Sequence, residues 1–121
     1  MSEEIIIIHN FSALKEKMET LNFYAEWTVY CEFGPEWIGS YRKMKFLLGE
    51  YEIGASPFFN ELKEKFTTAL KIPETSKDLV ITGDADILLK QNQLIADYSW
   101  YAAVPYDEPE AADNDEIVFY P

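Results

Sequence analysis

Hydrophobic and polar positions along this chain change period several times, and each change marks an element. Tyr24–Phe33 alternates: Ala25, Trp27, Val29, Cys31 and Phe33 share one parity, and Tyr24, Glu26, Thr28, Tyr30 and Glu32 share the other. A period of two is that of a strand with one buried and one wetted face. Gly34-Pro35 ends the run. Upstream, Glu4–Ile8 holds four consecutive isoleucines. β-branched density favours a strand, and an unbroken apolar run predicts burial on both of its faces.

Two stretches follow the helical period. Phe11, Leu14, Met18 and Leu21 recur at three and four residues, behind a capping Asn10 and opposite Lys15, Glu16, Lys17 and Glu19. This predicts a helix over about 11–21. Ser56-Pro57 opens the second, because the hydroxyl can cap and proline at the first helical position gives up an N–H that has no partner there. Its apolar stripe is Phe59, Leu62, Phe66, Ala69 and Leu70, and Pro73 stops it near Ile72. Residues 36–54 fit both periods; Gly39 and Gly49 weaken a helix, so extended structure paired with the preceding strand is expected.

The remainder is β-rich. Leu79–Thr82 reads as a short strand ended by Gly83-Asp84, and Ile87–Lys90 and Leu94–Tyr101 as hairpin arms around Gln91-Asn92-Gln93. Leu94, Ala96, Tyr98 and Trp100 share one face of the second arm; Ile95, Asp97, Ser99 and Tyr101 share the other. Pro105 and Pro109 bracket an acidic loop, Asp107–Glu116, and Ile117–Tyr120 closes the chain as a strand. The expected fold is α+β over one domain, residues 1–121. It is a mostly antiparallel sheet with two helices, about 11–21 and 57–72, packed on one face.

Charge changes the picture most. The 22 acids and 10 bases give a net charge of −12, and no Lys or Arg follows Lys90. Residues 91–121 alone carry seven acids and no base. A sequence pI near 4.3 excludes phosphate-led nucleic-acid binding and attraction to an anionic membrane. At 48% hydrophobic and 16% aromatic, the chain can bury a sizeable core. The single Cys31 permits no intrachain disulfide, and Ile5–Ile8 is too short for a bilayer span or a signal-peptide core. A soluble, cytoplasmic protein is expected.

Candidate chemistry is sparse. Asp84-Ala85-Asp86 could place two carboxylates on a hard cation, but it lacks the remaining ligands of a calcium loop, and turn chemistry explains it more simply. His9 is the sole imidazole and has no nucleophile motif beside it. Cys31 falls on the apolar face of its strand, where a thiol behaves as a small hydrophobe. Glu26 and Glu32 stand roughly 20 Å apart along a strand, too far for a carboxylate pair acting on one bond. No phosphate-binding glycine loop occurs. No cofactor, metal or catalytic residue is therefore assigned.

The acids after Tyr101 point instead to a docking surface for a basic partner, steered by charge and anchored by aromatic rings. The expected contact residues are Tyr101, Tyr106, Asp107, Glu108, Glu110, Asp113, Asp115 and Glu116. The Tyr24–Glu32 sheet surface is the alternative binding face. In composition alone the chain is similar to bacterial immunity proteins, antitoxins and nucleic-acid-mimic inhibitors. That resemblance implies a non-enzymatic inhibitor of a nuclease toxin or another nucleic-acid-binding protein. The alternatives are a carboxylate enzyme, with or without a divalent metal, using Asp84, Asp86 and a third acid, and a structural subunit of an assembly.

Overall fold

The computed structural model describes residues 4–32, 39–104 and 109–120. It is a mixed α+β fold dominated by one sheet. In chain order the elements are β1 (Glu4–Ile6), α1 (Phe11–Met18), β2 (Phe23–Tyr30), β3 (Tyr41–Leu48), β4 (Tyr51–Ile53), α2 (Pro57–Leu70), β5 (Val80–Lys90), β6 (Gln93–Ala103) and β7 (Pro109–Tyr120). The strands lie in the order β1-β4-β3-β2-β5-β6-β7, so β1 and β7 are the two edges. Every neighbouring pair is antiparallel except β1 with β4. Among the described residues no helix is long and apolar enough to cross a membrane.

The period-two reading of the second strand holds. Phe23, Ala25, Trp27 and Val29 are buried, and Glu26 between them is exposed. The same side of the sheet continues through Phe46 and Leu48 of β3, Ala85 and Ile87 of β5, and Leu94 and Ala96 of β6. Onto it α2 lowers Phe59, Leu62 and Phe66. The Phe66 ring meets Trp27 edge-on at 5.7 Å and Phe119 at 5.1 Å, and Phe59 meets Phe46 at 5.3 Å. Such tilted pairs add to the area they bury because ring edges and faces carry opposite partial charge.

Both helices begin at the expected caps. Asn10 Oδ1 accepts the Ala13 N–H at 2.8 Å. Ser56 Oγ accepts the Phe59 N–H at 3.1 Å and donates to the Ile8 carbonyl at 2.7 Å, tying α2 to the chain that leaves β1. The helices end earlier than expected, at Met18 and Leu70. Lys71 takes the left-handed conformation and the Ile72 N–H closes on the Thr67 carbonyl, so the helix ends before Pro73 is reached.

Three other expectations are corrected. The isoleucine run is not buried on both faces: β1 is a three-residue edge strand, Ile5 and Ile7 are exposed, Ile8 is buried in the core, and Ile6 packs half-buried against it. No turn occurs at Gly83-Asp84. The strand runs unbroken from Val80 to Lys90, and the glycine lies beneath the Trp27 ring. A Cβ at Gly83 would lie 2.3 Å from that ring, so a side-chain-free position lets the indole approach the strand closely. Finally, the acids from Glu110 to Glu116 are not in a loop. Strand β7 begins at Pro109 and pairs with β6 in register along most of its length. Ladder hydrogen bonds to a central strand outweigh the poor strand preference of Asp, Asn and Pro, and charge and proline are well suited to an edge.

Candidate functional site

Five exposed carboxylates converge on the sheet face opposite the core. Their order is set by register. Asp86 of β5 pairs with Tyr24 of β2 on one side and with Asp97 of β6 on the other. Asp97 in turn pairs with Glu116 of β7. One row across four strands is thus Tyr24–Asp86–Asp97–Glu116, with three adjacent carboxylates. The next row is Glu26–Asp84–Ser99–Asn114, and the one beyond it is Thr28–Thr82–Tyr101–Ala112. Neighbouring strands stand about 4.8 Å apart, so facing carboxylates here repel one another across the ladder.

Of the carboxylates on this face, Glu26, Asp84, Asp86, Asp97 and Glu116 are exposed and Glu52 of β4 is half-buried, and Tyr101 is 45% exposed among them. Ser99 Oγ donates to Asp84 Oδ1 at 3.3 Å. The Tyr24 hydroxyl is pushed above the ordinary phenol range, first by partial burial, then by the charge of Asp84 and a hydrogen bond to it, then by Glu26 and Asp86. On the β3 side the sign reverses: Lys45 pairs with Glu26 and Lys43 with Thr28. A shallow concavity of about 510 Å³ spans this boundary, lined by Tyr24, Glu26, Thr28, Lys43, Lys45 and Asp84 among others. Beyond it, the Tyr30 and Tyr41 rings stack at 4.5 Å.

The expected contact residues do not form one surface. Tyr101 and Glu116 belong to the open carboxylate face. Asp113 and Asp115 pair with Trp100 and Tyr98 and so project to the other side of the sheet. Glu110 lies in the backbone of β7, and Tyr106, Asp107 and Glu108 lie outside the described residues. A strand alternates, so a contiguous acidic sequence is divided between two faces.

The sequence undervalued Asp84, Asp86 and Asp97. By local sequence Asp84 and Asp86 resemble turn residues, while the parity of the β6 arm places Asp97 beside Ser99 and Tyr101. The signal that unites them is the same-parity run Asp84, Asp86 in a strand whose other face is Gly83, Ala85 and Ile87. His9 is exposed, and Cys31 is buried beside a bridge to Ser76. Among the described residues no group of three or more His, Cys, Asp or Glu is arranged to hold a metal ion. The chain matches no family model, and neither a curated protein nor a solved structure matches it.

Proposed function

We propose that this chain is a protein-binding module that neutralises or regulates a basic partner, and that it docks through the open sheet face. The observation that carries the reading is the row Asp86–Asp97–Glu116, three carboxylates in direct cross-strand register on exposed strand positions. Like charges placed opposite one another destabilise a sheet. A surface shaped for stability alone would alternate signs there. A basic partner recovers that cost on binding, gains association rate by electrostatic steering, and finds tyrosine anchors at Tyr24 and Tyr101. A nuclease or another nucleic-acid-binding protein fits this chemistry, because its own binding cleft is positive.

The reading takes both helices to cover the side of the sheet opposite this row. It is supported by one ring: Tyr120 stacks on Phe11 of α1 at 5.1 Å and meets Phe58 of α2 at 6.0 Å.

The test begins with affinity capture from the native host, using the native protein and a variant with Asp84→Asn, Asp86→Asn, Asp97→Asn and Glu116→Gln as parallel baits. The expected result is a basic protein held by the native bait alone. Its association rate, by stopped flow, should fall as salt rises and be slower for the variant at low salt. Unchanged association by a variant that melts normally would sink the proposal.

A further inference from the structure

The other side of the sheet carries a second site of different chemistry. Beyond the end of α2 the chain turns through Lys71, Ile72 and Pro73, and a groove of about 500 Å³ opens between this turn and strands β5 to β7. That volume lies within the range of small-ligand pockets. Its apolar lining includes Leu70, Ile72, Ile81 and Ile117. Three rings, Trp27, Tyr98 and Trp100, and two carboxylates complete it: Trp100 is paired with Asp113, and Tyr98 with Asp115, in adjacent same-face registers of β6 and β7. Strand spacing of about 4.8 Å and a two-residue repeat of about 6.8 Å set these four paired groups at the corners of a small rectangle. One compact head group can touch all four.

We propose that this groove binds a small organic molecule through a quaternary ammonium group. Aromatic faces attract cations, and they do so best when the cation is weakly hydrated. A primary ammonium would exchange three strong hydrogen bonds to water for those the two carboxylates can accept in a lining that is otherwise mostly apolar, whereas an alkylated one gives up far less. One oxygen of each carboxylate is held by a neighbouring backbone N–H. Asp113 Oδ1 accepts the Asn114 N–H, and Asp115 Oδ1 accepts the Glu116 N–H, each at 2.8 Å. Their field reaches the rings: the Tyr98 hydroxyl is held above the ordinary phenol range by partial burial and then by Asp115 and Asp113. Lys71 at the turn is the one base of the lining, so carboxylates outnumber it two to one. The site lies on the sheet side away from the carboxylate row, so it stands or falls independently of the protein-docking reading.

The test uses choline as the probe and 3,3-dimethylbutan-1-ol as its uncharged isostere, followed through the indole N–H resonances of the full chain. Choline should shift the Trp100 resonance, assigned with Trp100→Phe, in a saturable way at millimolar concentrations or below. The neutral isostere should bind about tenfold more weakly or worse, the loss expected when ring–cation attraction and two nearby charges are removed. Asp113→Asn with Asp115→Asn should weaken choline by a similar factor while leaving the melting temperature close to native, since both side chains are exposed. Lys71→Ala should tighten it. Equal binding of choline and its isostere, no saturation, or indifference to the two aspartate substitutions would overturn the proposal. So would a trimethyl-lysine peptide that binds tenfold more tightly than choline, because the occupant would then be a protein side chain.

Discussion

Gly83→Ala is a sharp probe of how this sheet is packed. The position is buried inside β5, with no left-handed strain to relieve, and in isolation alanine would suit the strand better than glycine. The nearest obstacle is the Trp27 ring. An added Cβ would lie 2.3 Å from Cε2 and Cζ2 of that ring and 2.7 Å from Nε1. The ring cannot retreat easily, because it is 3% exposed and set edge-on against Phe66 at 5.7 Å. Overpacking of this kind costs about 1–3 kcal/mol. Loss of unfolded-chain freedom returns about 0.4–1 kcal/mol. A net destabilisation of about 1–2 kcal/mol follows, or roughly 4–8 °C in melting temperature at this chain length. Far-UV circular dichroism in a urea series measures it without relying on tryptophan emission. Two controls give the experiment its force. Gly54→Ala meets Ile7 Cδ1 at 2.7 Å and Ile5 Cγ2 at 2.8 Å, methyl groups of two exposed side chains with room to move, and the Ile6 carbonyl oxygen at an ordinary 3.6 Å, and should cost less. In a Trp27→Phe background, where the ring is smaller, Gly83→Ala should be neutral or stabilising. An identical midpoint shift in both backgrounds would show that the indole is not what requires glycine.

Other outcomes follow from single groups. Ser56→Ala removes a buried hydroxyl that both caps α2 and bonds the Ile8 carbonyl, and should cost about 1–2 kcal/mol by urea denaturation. Asp97→Asn relieves repulsion from Asp86 and Glu116; a small rise in melting temperature at low salt should fade in 1 M salt, while partner association weakens. Tyr24 has its folded-state pKa raised above 10.0, so its contribution to stability is complete below the unfolded value and declines as pH rises through the folded one. Stability should therefore fall above about pH 10, and Tyr24→Phe should remove that part of the fall, as read by urea midpoints across an alkaline pH series.

Periodicity alone determined much of this protein. The alternation at Tyr24–Tyr30 identified a half-buried strand and its inward Trp27; the Ser56-Pro57 start and the Phe59–Leu62–Phe66 stripe identified α2 and its buried face. These signals are local, because a side chain's direction depends only on the period of its own element. What the tertiary structure decided was everything that depends on a neighbour. Gly83-Asp84 looks like a turn until Trp27 comes to rest on it from the adjacent strand. The isoleucine run looks buried until β1 is seen to be an edge. The segment around Asp113–Glu116 looks like a loop until β6 supplies its ladder, and strand alternation then separates Glu116 from Asp113 and Asp115. The carboxylate row itself draws on Asp86, Asp97 and Glu116 from three strands. No local pattern places those residues side by side, because register is set by long-range pairing and the burial of one face, and a slip of one residue would have sent each carboxylate to the opposite side.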